Sequence, residues 1–418
     1  MSMLGHLADA TPAGGVEFAA MLADPYTFHL DAYRRLGPVH RLRVGKQEMV
    51  VAAGPDVNDF VYRNSDLWDY PSMMTVFSDQ FGDRYVTAMG GAEHQLKRRR
   101  LAKAFRASVL ESGVARMAAV LERTLAAAAD RGDPVDLRRL CNLLIFDQAA
   151  ALLGVDMSED AAEVFLAFEH RLLSRRLAGD DGVALRSRMF DELARVIDQK
   201  IAAPGDDPFS MVLVEDDGAP VSRDELMIDL ALFFLAGTET TSHVILWSLV
   251  ELARMPAWRA EVTDEVADWR ISDRERLELP RTRATVLEAE RRYPPLPFGL
   301  LLGYDDVDLL GHRVPRGIPI FHARTLTHFL DECYADPMRF LPERHLGRTY
   351  PARFQGLFGG GTHLCLGAPL ARIQEALAVA LVTRDWLIEL VEDVPDRVRT
   401  DAVVTPDVDA VHVVISHR

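Results

Sequence analysis

From Ser222 to Met255 the sequence contains no proline, and no other feature constrains the fold as strongly. Ser222 and Glu225 form a capping-box pattern at one end, and Pro256 stops the run at the other. At about 1.5 Å per residue, a helix of this extent spans roughly 50 Å, several times the mean helix length. Leu226, Leu230, Phe233, Leu235, Ile245, Leu246 and Leu249 make it so apolar that it must cross the core. In its middle stands AGTETTS, Ala236 to Ser242, which is poor helix material. A mid-helix glycine costs about 1 kcal/mol against alanine, and β-branched threonines add to that. Local propensity is violated where burial is greatest, which marks a functional or close-packing site.

The flanking sequence predicts a mainly α fold with small β-sheets. VARMAAVLERTLAAAA and ALRSRMFDELARVIDQKIA carry apolar residues at three- and four-residue spacing. Strand-like segments are few: VHRLRVG then QEMVVAAG reads as a hairpin turning at Gly45-Lys46, with more at DVDLLGHRVPRGIPIF and DAVHVVIS. No glycine fingerprint follows a strand, so an alternating βαβ dinucleotide fold does not fit. Repeats and low-complexity linkers are absent, so residues 1–418 are expected to form one domain, with Pro204 to Pro220 as a surface loop.

The chain carries 47 basic and 63 acidic residues, a formal charge of −16, which argues against nucleic acid or anionic membrane as a partner. The N-terminal sequence has neither a basic n-region nor an apolar h-region, so no signal peptide is read. The most apolar stretch, LMIDLALFFLAG, falls short of the roughly 20 residues of a membrane span. Three cysteines, Cys141, Cys333 and Cys365, are too few for a disulfide framework or a four-cysteine metal site. A reducing, cytoplasmic setting is the expectation.

One thiol has an unusual neighbourhood. In FGGGTHLCLGAPLAR, which begins at Phe358, three glycines let the backbone approach something closely or adopt positive φ. Cys365 then precedes a helix with Pro369 near its first turn. A sulfur there can receive backbone N–H bonds in the field of a helix N-terminus, and both favour the thiolate. A buried structural cysteine on a glycine turn, the commoner fate of a single Cys, accounts for the same residues.

Phe358, Gly361, Cys365 and Gly367 are the fixed points of a loop that resembles the haem-binding loop of the cytochrome P450 family. Three further segments resemble that family in its own order. AGTETT, from Ala236, matches the acid–alcohol motif of its long central helix. Glu288 to Arg291, followed by Pro294-Pro295, matches its ExxR element, and FLPERH, Phe340 to His345, resembles its PERF box. DPYTFHLDAYRRLGPVHRLRVG looks like its first helix and hairpin, so the resemblance covers nearly the whole chain.

The resemblance implies haem b, iron protoporphyrin IX, with Cys365 as proximal thiolate, a ligand that favours O–O cleavage over O2 storage. Phe358 would shield the sulfur and Gly361 would let the loop lie against the macrocycle, with Gly367 and Ala236 completing the contact. Glu239 and Thr240 are implied as the catalytic pair, an acid beside a hydroxyl in a helix loosened by Gly237, relaying protons in a dry pocket. Close packing of small residues would also account for that segment. Glu288, Arg291 and Arg344 are implied as a buried structural triad bracing the cysteine loop.

His94, Arg98 and His363 are implied partners of the haem propionates, with Lys97, Arg99 and Arg100 pointing elsewhere. There is one departure: many bacterial members carry a propionate-binding arginine in the strand after Pro294-Pro295, where this chain has Leu301. The basic run Lys97 to Arg100 reads either as a solvated helix face or as a docking surface for an acidic electron donor.

One and two turns before Thr240 lie Ala236, Phe233 and Leu232, expected to face the distal pocket. Phe298 with Leu296 and Pro297, the stretch Trp68 to Met89, and Val404 with Thr405 complete the expected lining. It is apolar, so the implied substrate is a lipophilic small molecule, such as a secondary metabolite, which O2 chemistry would hydroxylate or epoxidise. No flavin or ferredoxin segment is read, so electrons are expected from a separate ferredoxin and ferredoxin reductase, or a flavodoxin-type donor. Two alternatives use the same fold: a peroxide-driven peroxygenase, which does not need Glu239-Thr240, and a non-catalytic partner protein, which needs neither that pair nor Cys365. Cys141 and Cys333 match no motif and are expected to be inert.

Overall fold

The computed structural model describes residues 3–173, 180–271, 279–395 and 410–418. The central helix forms over Arg223–Arg254, and the Ser222 hydroxyl caps it by accepting the Glu225 N–H at 3.2 Å. The Glu225 carboxylate does not serve the expected capping box; it is turned to Arg84 and Arg100. The helix runs unbroken through Ala236 to Ser242, so Gly237 does not loosen it. Hydroxyls there are satisfied by back-bonds along the helix: Thr238 donates to the Phe234 carbonyl at 2.7 Å and Thr240 to that of Ala236 at 2.9 Å.

From Thr241 to Leu252 every residue is buried. By length and composition this helix is apolar enough to cross a membrane, but 67% of the relevant window lies inside the protein, as a core helix requires. Packed around it are the helices Leu137–Leu153, Ala161–Leu173, Asp180–Ala202, Pro280–Arg292 and Ala368–Asp385. Leu121, Ile145, Trp247, Leu377 and Leu381 fill the largest apolar cluster between them.

The strands are short and peripheral. β1 (Val39–Val44) and β2 (Gln47–Ala53) form the expected hairpin, with Gly45 in the left-handed region at φ 61°. β3 (Val135–Asp136), β4 (Gly299–Leu301), the β5–β6 hairpin (Val307–Leu309, His312–Val314), β7 (Ile320–Ala323), β8 (Trp386–Leu390) and β9 (His412–His417) complete the set among the described residues. The main sheet has the order β1-β2-β7-β4, with β2 and β7 parallel and β7 and β4 antiparallel.

Pro204 to Pro220 is more than a surface loop. Phe209 and Val212 are wholly buried in the cluster that also holds Leu226 and Leu230, and Lys200 pairs with Asp207 at 2.7 Å. Val404 and Thr405 lie outside the described residues.

Candidate active site

Cys365 follows a short 3-10 turn, Gly361–His363, and precedes the helix Ala368–Asp385. Its N–H donates to the Phe358 carbonyl at 2.9 Å, which closes the loop. Its sulfur accepts the N–H groups of Gly367 and Ala368, as expected at a helix start, and feels the Arg98 and Arg324 guanidiniums. Cys365 is exposed, unlike the other two thiols, but desolvation by the surrounding protein still holds it above its ordinary value, against the pull of those bonds. Cys141 and Cys333, in contrast, are buried free thiols pushed by burial up to about 12, as inert residues should be.

The loop glycines make room for neighbouring protein atoms. A Cβ on Gly361, whose φ is 63°, would overlap Ser65 Oγ and the Tyr62 carbonyl, and one on Gly360 would enter the Tyr62 ring. They let the helix Pro55–Arg63 and the turn after it press against the loop. Gly367 is different, since a Cβ there meets only Cys365 Sγ and Phe105 at ordinary distance. Phe358 lies under Arg372, whose guanidinium is 5.0 Å from the ring centre.

On the other side of the site stands the middle of the central helix. Phe105 links the two halves, stacking on Phe233 at 5.2 Å while its edge reaches the Gly367 position. Leu232 and Phe233 are half-buried and Ala236 is exposed, consistent with a face turned to open space. Glu239 is held by Arg138, at 3.0 Å, from the start of the helix Leu137–Leu153. Beside it, Glu169 is buried, and burial with the Glu239 charge raises its carboxyl well above the ordinary range. Neither Arg138 nor Glu169 stood out in the sequence; each sits in an ordinary amphipathic helix.

His94, Arg98 and His363 do come together. Tyr70, His363 and His94 form a column of near-parallel rings, with centres 3.4 and 4.0 Å apart. Burial, with the neighbouring cations, lowers His94 to about 4 and His363 to about 3, so both are neutral near pH 7. Arg98 donates to the Leu364 carbonyl.

Lys97 and Arg100 turn inward instead of outward. Lys97 lies 2.8 Å from Asp229 and 3.3 Å from Glu225, and Arg100 lies 2.7 Å from Asp229 and 3.1 Å from Glu225. Their side chains and that of Asp229 are all at most 1% exposed. Lys97 and Arg100 therefore belong to no solvated face; they bolt the helix Gly91–Ala102 to the central helix, while Arg98 is half-buried and Arg99 exposed. Asp229→Ala would strand two buried cations, and a stability loss of roughly 3–5 kcal/mol is expected from denaturant titration. A loss below about 1 kcal/mol would show that Glu225 alone balances them.

Glu288 is wholly buried and accepts from Arg291 at 2.7 and 2.9 Å, Arg344 at 3.1 Å and the Leu341 N–H at 2.8 Å. His345, which the sequence reading passed over, adds a bond at 2.9 Å. Arg291 also donates to the carbonyls of His328, Pro337 and Arg339. The expected triad is thus a tetrad, and it fastens the helix Pro280–Arg292 to the segment that leads into the cysteine loop.

Phe298 fails as a pocket residue, and the stretch Trp68 to Met89 is divided between core residues and half-buried or exposed ones. Phe298 is 7% exposed, packed against Tyr26 and Phe321 at 5.3 and 4.9 Å, and belongs to the core beneath β7. Trp68 and Tyr85, from the expected covering loop, are 1% and 2% exposed and are likewise core. Leu301 is buried opposite Ile320, its partner on β7, so it fills the sheet core. The sheet instead sends a guanidinium toward the cysteine loop from Arg324, just beyond β7, where burial pulls its pKa down.

Comparison with known proteins places this arrangement. The family profile described as "Cytochrome P450" matches residues 18–176 and 185–413. "Cytochrome P450 76A2" of Solanum melongena is 29% identical over 65% of this chain and 62% of its own length, so the match spans less than two thirds of that relative. "Cyclooctat-9-en-7-ol 5-monooxygenase" of Streptomyces melanosporofaciens is 26% identical over 84% of this chain and 82% of its own. Among solved structures, the retinoic-acid-bound cyanobacterial CYP120A1 superposes with a TM-score of 0.83 at 21% identity, covering 94% of each chain.

Proposed function

Since the chain belongs to the cytochrome P450 family, we propose that it is a haem b monooxygenase acting on a lipophilic small molecule. In this reading the substrate gains one oxygen atom from O2, and the other leaves as water with two electrons and two protons. The observation that carries it is Cys365, its sulfur met by the Gly367 and Ala368 N–H groups and linked through Phe105 to the acid–alcohol face of the central helix.

The residues present fit a haem. Cys365 would be the iron ligand, and His94 and Arg98 would be donors for propionates, with His363 stacked on His94 while its own ring nitrogens lie 3.1 Å from the Met89 carbonyl and 3.2 Å from Thr362 Oγ1. The Tyr62 ring packs against the glycine loop, and its buried hydroxyl has no hydrogen-bond partner among the described residues. Bound haem would supply the redox chemistry that activates O2. The protein's own contribution is proton management. Glu239 is drawn to Arg138, and the Thr240 hydroxyl donates to the Ala236 carbonyl, which leaves its oxygen free to accept a further hydrogen bond. Glu169, whose carboxyl burial and the Glu239 charge raise well above the ordinary range, extends this set with a second acid.

Electrons would come from a separate ferredoxin with its reductase, or a flavodoxin-type donor, in the cytoplasm. A Streptomyces relative named for monooxygenation of cyclooctat-9-en-7-ol supports a largely hydrocarbon substrate. The half-buried Leu232 and Phe233 supply a matching apolar wall.

Thr240→Ala is expected to retain haem and substrate binding while product formed per O2 consumed falls about tenfold or more, in line with the loss of a positioned proton donor. Simultaneous O2-electrode and product assays read this directly. Unchanged coupling would remove Thr240 from the relay, and turnover with peroxide but not with a donor pair would favour a peroxygenase.

A further inference from the structure

Arg324 is a cation with no carboxylate partner among the described residues, and the Cys365 sulfur is the one cysteine within its electrostatic reach. Its Nε and Nη2 both donate to the Leu296 carbonyl, at 2.9 and 2.7 Å, which fixes the guanidinium. Nη1 is left facing the cysteine loop, 3.9 Å from where a Gly359 Cβ would stand. Among the described residues no carboxylate lies within ion-pair distance of it. The Tyr62 hydroxyl, buried without a partner, lies within its electrostatic reach. Arginine stays charged even when buried, and an unpaired charge inside a protein is costly, so this group calls for an anion.

The sheet shows the complementary deficit. Pro294 to Gly303, including all of β4, contains no basic residue, and Leu301 is committed to the core. We infer that Arg324 supplies, from the end of β7, the cation that β4 lacks, and that it pairs with a haem propionate. The inference rests on the haem reading above. A carboxylate matches the open Nη1 donors, and the Tyr62 hydroxyl offers one more donor at the same place. It also assigns a role to the double bond on Leu296: a guanidinium held by two of its nitrogens loses little freedom on pairing.

The test compares wild type, Arg324→Met and Arg324→Lys as purified holoproteins. Haem transfer to excess apomyoglobin is followed by its Soret change, with the reduced carbon monoxide spectrum recorded for each. Arg324→Met is expected to lose haem about 10- to 100-fold faster than wild type, the range for a lost charge-assisted bond, with Arg324→Lys between them. Haem-free Arg324→Met is expected to unfold no more easily than haem-free wild type, because a half-buried charge without a carboxylate partner has been removed. A thiolate-type band in wild type with equal haem loss in all three proteins overturns this inference alone. So does a haem-free Arg324→Met that is clearly less stable, since the arginine would then serve the polypeptide. Absence of the band in wild type overturns the haem reading and this inference with it.

Discussion

Glu288→Ala is expected to destabilise the protein by roughly 3–5 kcal/mol, the range for breaking a buried ion pair by removing one partner. That is a large fraction of the roughly 5–15 kcal/mol that holds a typical protein folded. Arg291 and Arg344, whose side chains are 2% and 6% exposed, would face each other without a counter-charge, and the Leu341 N–H would lose its acceptor. The segment from Leu341 leads to the cysteine loop, so haem retention should fall with stability. Burial alone would raise the Glu288 carboxyl, but bonds from Arg291 and His345 outweigh it and bring it down to about 2, from an ordinary 4.5.

The sign of the pH effect follows from that depression. A carboxylate with a lowered folded pKa contributes its full stability above 4.5 and loses it as pH falls toward about 2. At about 1.4 kcal/mol per pH unit this is on the order of 3 kcal/mol. Denaturant midpoints measured from pH 7 downward should therefore fall steeply below 4.5 in wild type. Glu288→Gln should begin lower at pH 7 and lack that part of the decline. Equal acid sensitivity in the two proteins would show that other carboxylates control it.

Cys365→Ser carries the other large effect. Loss of an outer partner of a metal ligand typically costs 10- to 100-fold in affinity or activity, and here the ligand itself is removed. Turnover should fall by more than about 100-fold, while the fold persists. The fold should persist because the loop is closed by backbone, through the Cys365 N–H to the Phe358 carbonyl, and braced through Glu288, and neither contact uses the sulfur. A serine variant that unfolds would mark Cys365 as a structural residue. Retention of wild-type turnover would place the chemistry elsewhere.

Much of this architecture was legible because periodicity and punctuation report it directly. The proline-free run gave the central helix, the Gly45-Lys46 turn gave the first hairpin, and the i,i+3 spacing of Glu288 and Arg291 gave their shared face. The direction of a long side chain is decided by tertiary packing, and there the sequence was silent. Lys97 and Arg100 look like surface charges until Asp229, buried on the central helix, is seen opposite them. Phe298 has the hydrophobicity of a pocket residue, but a place beneath β7 buries it in the core. Gly361 was correctly read as conformationally special, yet the atoms it makes room for belong to Tyr62 and Ser65, far away in sequence. Arg324 and His345 escaped notice because their partners lie far away in sequence, Glu288 for His345 and Leu296 and the Gly359 position for Arg324.

The central claim is that Cys365 is the thiolate ligand of a haem, and the reduced carbon monoxide difference spectrum tests it most directly. Wild type is predicted to show the long-wavelength Soret band characteristic of thiolate ligation, and Cys365→Ser, still folded, to lack it. A wild-type protein that binds haem without that band, or a serine variant that keeps it, would contradict the account.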